Sequence, residues 1–539
     1  MSWRPVLGPR PEAAGRAGIA WFGLALTGLS VAATFTVAVT GTSIMEPPYP
    51  GRPGQPPWAF AAHLSPYLAV ALTAAGLLAG TAGLALTLAA TRRGWRLPVR
   101  PLLLAGLLAA LALTLVPPFG SSDPLSYAAY GRILVTGHNP YVMAPDVLAR
   151  LGDPVARAVQ DWKTTPSDYG VVATAGQALA SLIGGTSARL TVFVLSVLDL
   201  AAFAGTGLIL HRLARGDRGR QARAALLWTA NPLLLQVLVA GQHLDSQAIF
   251  FGVAAVAVYV RGVAGRPLRS AVAWAAAAGA LAGLGFAVKI TLALVGGGLA
   301  LAALRSCWSQ WRRLVALEAG LAAGFAVVAG AALAVGGRAG FHQTVQASSM
   351  VSIGSPWRVI RTVLHLAMHE STADDVVKVA AVVLALVLAV LLWRGLPGRG
   401  GPALAGRGAL ALSLAWLLAW PYVLPWYDGL AWALLPLVAA SSLDWLLLAR
   451  TAALGIGYLP ARVAGIVVPP GLGWLQSVVR TGVTPAVLAI VVVWLIVSLR
   501  RGASGATGAG GTPDTGGTGE FDAEDMSEPE PAADGRRGR

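Results

Sequence analysis

Long apolar runs constrain the fold of this chain more than any other feature of its sequence. Runs of about 18 or more residues recur from end to end, and those at 17–40, 190–210 and 481–499 hold at most one charged residue each. A helix of this length and composition crosses the ~30 Å hydrocarbon core of a bilayer. Only 12% of all residues are charged, whereas soluble domains carry roughly 25%. The sequence therefore predicts an all-α polytopic membrane protein.

The arginines that separate these runs predict how the chain is threaded. The net charge is +16, and basic residues cluster at 4–16, 92–100 and 211–223. Loops that stay in the cytoplasm are enriched in Lys and Arg, so we interpret these clusters as cytoplasmic and expect no nucleic acid partner. The alternation of loops predicts about 14 spans within 17–500, with both termini in the cytoplasm. The predicted spans lie near 17–40, 67–90, 101–118, 190–210, 224–240, 247–262, 269–286, 290–304, 314–336, 377–393, 408–424, 429–449, 451–470 and 481–499.

The two ends of the chain lie outside the predicted bundle. Residues 1–16 form a predicted cytoplasmic segment, and the run 17–40 is too long for the core of a signal peptide. The tail 501–539 is rich in Gly, Thr, Pro and acidic residues, a composition that predicts disorder. Cys307 is the only cysteine, which excludes an intrachain disulfide and a cysteine metal site.

Two long segments are predicted as outer loops. If the apolar stretch 169–184 spanned the membrane, the basic cluster 211–223 would lie outside. We therefore predict that 169–184 lies along the interface or re-enters from outside, within a first large outer loop at 119–189. The second outer loop is predicted at 337–376.

The first outer loop begins with the densest polar chemistry of the chain. Asp123 follows an apolar run directly, and Asp123, Tyr127, Tyr130 and Leu134 recur at helical spacing, which places the carboxylate and two phenols on one face. Aromatic rings stack on the C–H faces of sugars, and a carboxylate can accept a proton from an attacking hydroxyl. Alternatively, Asp123-Pro124 only begins a helix as its cap, and the tyrosines belong to the aromatic belt of the interface.

Further polar residues follow in the same loop. Arg132 is a candidate for binding phosphate or, alternatively, lipid headgroups. His138, Asn139 and Tyr141 are candidate sugar contacts, although Asn139-Pro140 is also a common turn sequence. We expect the remaining charges of the loop to be solvated, and these are Asp146, Asp153, Asp161, Lys163 and Asp168.

Two short motifs interrupt later apolar runs. His243 and Asp245 could form half of a metal site, but two ligands without a third nearby favour hydrogen bonding to a sugar or phosphate instead. Lys289 is an isolated lysine within apolar sequence, and such residues are functional candidates because their burial is costly. It could neutralise a phosphate, or it could extend to the interface as an ordinary snorkelling side chain.

A last aromatic cluster lies at 420–428. Trp426 and Tyr427 are candidate clamps for a sugar or lipid, and the aromatic belt is the alternative. The chain has no strand followed by a glycine-rich phosphate loop, so a nucleotide-sugar site of the soluble kind is not supported.

The order and spacing of these motifs resemble one known family. The motifs are 121–132, 139–141, Asn231-Pro232, 242–245, Val288-Lys289 and 420–427. Together they are similar to the actinobacterial α-(1→6)-mannosyltransferases that use polyprenol-phosphate-mannose, and the resemblance runs from about residue 17 to 500. It implies a GT-C-like bundle with a catalytic first outer loop. Val171 follows Tyr169-Gly170 where the family would have proline.

The resemblance also implies roles. An acid early in the first outer loop is the catalytic base of this architecture, and Asp123 matches it. The implied donor is polyprenyl-phosphate-mannose and the implied acceptor a mannan or lipomannan-type glycan, at the outer face of the plasma membrane. In the mechanism that we expect, transfer inverts the anomeric carbon and requires no metal or cofactor. A transporter or flippase of a lipid-linked glycan is the alternative, as is a scaffold subunit of a wall-synthesis complex.

Overall fold

In a computed structural model that describes residues 11–396, 401–460 and 467–508, the chain is a bundle of helices. Within these ranges no strand forms, and an isolated bridge joins Ser43 and Glu46. The helices are α1 (Pro11–Val39), α2 (Pro66–Arg92), α3 (Val99–Thr114), α4 (Asp123–Val135), α5 (Pro145–Arg150), α6 (Pro154–Arg157), α7 (Val171–Gly184), α8 (Ala188–Leu213), α9 (Arg218–Leu227), α10 (Pro232–Leu234), α11 (Asp245–Val263), α12 (Leu268–Val288), α13 (Ala293–Cys307), α14 (Trp311–Ser348), α15 (Pro356–Leu364), α16 (Glu370–Gly395), α17 (Gly401–Ala419), α18 (Gly429–Leu434), α19 (Leu443–Gly457) and α20 (Thr484–Gly508).

The predicted class, an all-α polytopic membrane protein, is confirmed, but the number of spans differs. Among the described residues, ten helices are long and apolar enough to cross a membrane, and three shorter apolar helices accompany them. The short ones are α3, α7 and a part of α17. The prediction of about 14 continuous spans therefore overestimated the number of long helices.

Prolines and local capping account for two of the breaks. The predicted span 224–240 is counted among the ten as Arg218–Ala240, but it is irregular. The side chain of Asn231 accepts hydrogen bonds from the backbone of the following turn, ahead of Pro232, and a π-helical turn follows at Leu235–Ala240. The predicted span 429–449 is interrupted near Val438. Arg223 donates to the carbonyls of Leu435 and Val438, so this break is held by a partner from α9.

The region between the predicted spans 429–449 and 451–470 is arranged differently. One helix, α19, crosses the predicted boundary and ends at Gly457. Part of the thirteenth predicted span, residues 461–466, lies outside the described residues. The same holds for most of the predicted N-terminal segment 1–16 and of the tail 501–539, although α20 continues to Gly508.

The predicted outer loops are largely helical. The second, 337–376, is not an open loop, because α14 continues to Ser348 beyond a kink at Gly337, where φ is +64°. Helix α15 follows, and α16 begins at Glu370. The first loop, 119–189, contains α4 to α7. Helix α4 begins at Asp123, and Ser122 occupies the cap position that the Asp-Pro pair predicted for Asp123.

Two glycines allow close backbone contacts of the first loop, one between its own helices α4 and α7 and one with the bundle. A Cβ on Gly131 of α4 would lie 2.1 Å from the carbonyl oxygen of Gln177 in α7, and one on Gly170 would lie 2.1 Å from that of Ala287. Small residues allow such backbone approach between helices in membranes. Gly170 also donates its N–H to the carbonyl of Val288, which fixes the segment before α7 beside Lys289.

Candidate active site

Segments that are far apart in sequence surround one cavity of about 730 Å³. This volume is within the usual range of small-molecule sites, ~300–1,000 Å³. Side chains from α4, the segment 161–169, the start of α13, the end of α14 and the loop 416–427 form its wall. Six of the residues that the sequence singled out line it: Asp123, Tyr127, Tyr130, Lys289, Trp426 and Tyr427.

Asp123 lies at the first turn of α4, with 15% of its side chain exposed. The cap position of this helix is Ser122, which makes no side-chain capping bond, while the backbone N–H of Asp123 donates to Oγ of Ser121. Burial raises the pKa of Asp123 to about 6, with the charge of Asp161 adding to the rise and that of Lys289 opposing it. A carboxyl with this pKa is ionised at neutral pH and is basic enough to accept a proton.

The aromatic side chains of His243, Trp426 and Tyr127 pack beside Asp123. The His243 ring is 1% exposed and stacks on Trp426 with 3.6 Å between ring centroids. Its Nδ1 lies 3.7 Å from Oδ2 of Asp123 and 3.5 Å from the hydroxyl of Tyr127. Burial lowers the pKa of His243 well below its usual value, and the charge of Lys289 lowers it further. The ring is therefore neutral and positions its neighbours without contributing a cation.

Lys289 contributes a positive charge to the cavity wall. It lies between α12 and a short 3-10 turn at Ile290–Leu292, and 14% of its side chain is exposed. Its Nζ donates to Oδ1 of Asp245 at 2.7 Å and lies 3.9 Å from the ring centroid of Tyr427. A cation held by a carboxylate and an aromatic face can bind an additional anion with its remaining N–H donors.

The turn that carries His243 and Asp245 is supported by a buried carboxylate. Asp199 of α8 is 3% exposed, and its two oxygens accept hydrogen bonds of 2.8 Å each from the side chains of Gln242 and Gln247. Gln242 has a φ of +49°, which is uncommon for a residue other than glycine. Asp199 is not among the candidates predicted from the sequence, although an acid within the apolar run 190–210 was a signal for it.

An ion pair anchors the last residue of the aromatic loop 420–428. Asp428, which is fully buried, accepts a hydrogen bond of 2.9 Å from Nε of Arg450 and one of 2.8 Å from Thr451. Trp426 and Tyr427, the residues before Asp428, both line the cavity. The acid of this motif is thus a structural group.

Four candidate site residues lie away from the cavity lining. Arg132 forms an ion pair of 2.7 Å with Asp153. Asn139 is exposed and accepts a hydrogen bond from the backbone of Tyr141, and the Tyr141 hydroxyl lies 2.9 Å from that of Thr174. The His138 side chain lies 3.3 Å from the hydroxyl of Thr136. These contacts organise the first loop.

Two acids that we expected to be solvated line the cavity instead. Asp161 and Asp168 both contribute to its wall, and the hydroxyl of Ser122 donates to Asp161 at 3.4 Å. Burial raises the pKa of Asp168, while Lys289 opposes the rise. Trp162 and Tyr458 also line the cavity and were not expected from the sequence. Trp420 and Tyr422 of the predicted aromatic cluster 420–428 line it as well. For Asp168, its position immediately before Tyr169-Gly170 was an available signal.

The predicted absence of a metal site stays a prediction. Within the described ranges, no group of three His, Cys, Asp or Glu side chains is placed to hold a metal ion. Asp245, one half of the suspected pair, forms its ion pair with Lys289.

Comparison with known proteins gives one family. Residues 20–305 match the family model described as alpha-(1->6)-mannopyranosyltransferase, N-terminal domain. A probable alpha-(1->6)-mannopyranosyltransferase of Mycolicibacterium smegmatis is 27% identical over 61% of this chain. Alpha-(1->6)-mannopyranosyltransferase B of Corynebacterium glutamicum is 29% identical over 28% of the chain, and an alpha-(1->6)-mannopyranosyltransferase of Mycobacterium tuberculosis is 32% identical over 28%.

The matches cover only parts of these relatives. The chain spans about 63% of the length of the Mycolicibacterium protein and 25% and 26% of the lengths of the other two. The family match contains Asp123, Tyr127, His243, Asp245 and Lys289, and it ends before the aromatic loop 420–428.

Proposed function

Because the chain belongs to the alpha-(1->6)-mannopyranosyltransferase family, we propose that it is a membrane-embedded mannosyltransferase. It transfers mannose from polyprenyl-phosphate-mannose to a hydroxyl of a mannan or lipomannan-type acceptor and forms an α-(1→6) linkage. The reaction takes place at the outer face of the plasma membrane. One observation carries the proposal: a carboxylate with a raised pKa, Asp123, and a cation, Lys289, line the same cavity.

In the proposed reaction Asp123 is the general base. Its carboxylate removes the proton of the acceptor hydroxyl as the hydroxyl oxygen forms a bond to the anomeric carbon of the donor mannose. The bond between this carbon and the phosphate oxygen breaks on the opposite side, so the anomeric configuration inverts. The proton remains on Asp123 until it is lost to water, and polyprenyl phosphate leaves as the anion.

Lys289 meets the charge of the leaving phosphate. A fixed cation at the point where negative charge develops stabilises the transition state more than the ground state. Arg132 is not assigned to this role, since it is already paired with Asp153. His243 is not assigned to it either, because its ring is neutral in its buried position.

Apolar residues beside Lys289 suit the lipid part of the donor. The cavity lining includes the apolar residues Ile290, which directly follows Lys289, Leu294 of α13 and Met350, just after α14. A polyprenyl chain that leaves the cavity there would pass between apolar helix surfaces, as a lipid-soluble chain requires. No metal takes part in the proposed reaction, because a single phosphate group can be met by the Lys289 ammonium.

The test is a transfer assay with the purified full-length chain in lipid nanodiscs. Radiolabelled polyprenyl-phosphate-mannose and a synthetic α-mannoside are supplied, and the product is digested with a linkage-specific mannosidase. We expect labelled α-(1→6)-linked product, unchanged by a metal chelator. In liposomes, movement of the labelled lipid between leaflets without a new glycosidic bond would identify the protein as a flippase and contradict the proposal.

A further inference from the structure

The segment Asp161–Pro166 forms a part of the cavity wall that the proposed base and cation do not use. Asp161, Trp162, Thr164, Thr165 and Pro166 all line the cavity. Helix α4 holds the segment at both ends, because the hydroxyl of Ser126 donates to the carbonyl of Asp161 at 3.2 Å and that of Tyr130 to the carbonyl of Thr165 at 3.0 Å. The helix that carries Asp123 therefore also fixes this wall.

Trp162 has a backbone conformation that a bulky residue rarely adopts. Its φ is +61°, in the left-handed region where residues with large side chains are strained by ~1–3 kcal/mol. The hydrogen bond from the N–H of Thr165 to the Trp162 carbonyl, at 3.1 Å, closes a turn around it. The half-buried indole lines the cavity, so the strained turn places an aromatic ring beside a carboxylate, Asp161.

The charged residues of the cavity have different partners. Lys289 is paired with Asp245. Asp161 lies next to the first turn of α4, where the hydroxyl of Ser122 donates to its side chain. An anion beside this turn would be repelled by Asp161 and Asp123 together. A neutral ligand with hydroxyl donors and an apolar face suits it, because the carboxylate accepts hydrogen bonds and the indole packs on C–H groups.

We propose that Asp161 and Trp162 form a subsite for a neutral sugar residue of the acceptor glycan, beside Asp123. The subsite rests on the proposed function in one respect, namely that the bound sugar is the acceptor. Asp161 accepts hydrogen bonds from its hydroxyls, and the Trp162 indole packs on its C–H face. The subsite selects the acceptor, whereas Lys289 binds the phosphate of the donor.

Steady-state kinetics of purified variants test the subsite. Trp162→Ala removes the ring but keeps a side chain at the strained backbone position. Trp162→Gly removes both the ring and the backbone strain. Trp162→Phe keeps an aromatic face. We expect the Ala and Gly variants to raise KM for the acceptor at least tenfold, with KM for the donor changed less than twofold, and the Phe variant to stay within threefold. Equal acceptor KM in wild type and Trp162→Ala, or an effect confined to the donor, overturns the proposal.

Asp161→Asn tests the carboxylate, and Asp146→Asn is its matched control. Asp146 belongs to the same loop but is paired with Arg150. We expect Asp161→Asn to raise the acceptor KM at least fivefold and to move the acid limb of the pH–rate profile to lower pH, because the charge of Asp161 raises the pKa of Asp123. Asp146→Asn should do neither. The other groups that act on Asp123 or respond to its charge are Ser121, Asp168, Lys289, His243 and the tyrosines at 49, 127, 130, 169 and 427.

A binding measurement separates this proposal from the proposed function. Saturation-transfer NMR with α-(1→6)-mannobiose, and with maltose and cellobiose for comparison, detects sugar binding without the lipid donor. A disaccharide signal that Trp162→Ala abolishes supports the subsite, even if the wild type transfers no mannose. A signal of equal strength in both proteins, or none in the wild type, overturns it. Gel filtration and a melting curve of each variant confirm that it is folded.

Discussion

The ammonium nitrogen of Lys289 lies 2.7 Å from Oδ1 of Asp245. Asp245 comes from the first turn of α11, and Lys289 follows α12, so the pair joins two motifs that are 44 residues apart. Tyr427 of the aromatic loop covers the same ammonium group at 3.9 Å. Three of the sequence motifs thus meet at one cation.

The first prediction concerns this pair. Lys289→Met leaves Asp245 buried without its cation, and loss of one partner of a buried pair costs ~3–5 kcal/mol. We expect a lower melting temperature and a loss of transfer of at least 100-fold. In the double variant Lys289→Met/Asp245→Asn the unpaired charge is absent, so stability should return to near the wild-type value while activity stays low. Recovery of both properties would show that Lys289 has only a structural role.

The second prediction concerns the base. Asp123→Asn removes the proton acceptor and keeps the side-chain shape, so we expect transfer to fall by at least 1,000-fold. The folded pKa of Asp123, about 6, is above its ordinary value of 3.8. Its contribution to stability is therefore fully present below pH 3.8 and is lost as the pH rises through 6. At pH 7.5 the Asn variant should be at least as stable as the wild type. Near-normal transfer by this variant would remove Asp123 from the mechanism.

The pH dependence of transfer gives a third prediction. The base must be ionised, and the pKa of Asp123 is raised to about 6. We expect kcat/KM to be constant near pH 7.5 and to fall about tenfold per pH unit well below pH 6. Initial rates between pH 4.5 and 8 measure this limb. An acid limb centred near pH 4 would show that the carboxyl is not the buried group that the structure describes.

The sequence predicted those features of the site that depend on local pattern. Asp-Pro marked the start of α4 at Asp123, and the apolar runs predicted most of the long helices. Lys289 was selected because a lone lysine in apolar sequence is costly, and the structure places it in the cavity wall.

The features that the sequence analysis missed depend on contacts between distant segments. Asp161 and Asp153 are both acids of the first loop, and Asp153 caps α6 ahead of Pro154. Neither local sequence shows that Asp161 lines the cavity or that Asp153 pairs with Arg132. The break near Val438 depends on Arg223, more than 200 residues earlier. Local propensity carries no information about such partners.

The fourth prediction concerns a buried acid beside the first loop. Glu46 is 2% exposed, and burial raises its pKa to about 9, with Arg189 opposing the rise. Its contribution to stability is thus greatest below pH 4.5 and is lost as the pH rises through 9. Glu46→Gln should be at least as stable as the wild type at pH 7, because an amide avoids the cost of keeping a carboxyl protonated there, and it should lose less stability between pH 7 and 9.5. A variant that is much less stable at pH 7 would show that Glu46 is ionised and paired with Arg189.

The last prediction concerns Asp199, which holds Gln242 and Gln247 from within α8. Asp199→Leu leaves two buried amide groups without their acceptor, at a cost of ~1–3 kcal/mol each. It also releases the turn that carries His243 behind Asp123. We expect a lower melting temperature and a fall in kcat of at least tenfold. Asp199→Asn should be milder, because the Gln242 amide can rotate and accept a hydrogen bond from the new side chain.

A control on the same helix separates local from general effects of changing α8. Thr206 is buried, and its hydroxyl donates only to the carbonyl of Ala202 within the helix. Thr206→Val should leave kcat within twofold of the wild type. If Asp199→Leu lowers the melting temperature but leaves kcat at the wild-type value, the carboxylate stabilises the helix bundle without positioning the turn. If Asp199→Leu lowers kcat and Asp199→Asn largely restores it, the hydrogen bonds to the two glutamines set the geometry of the site.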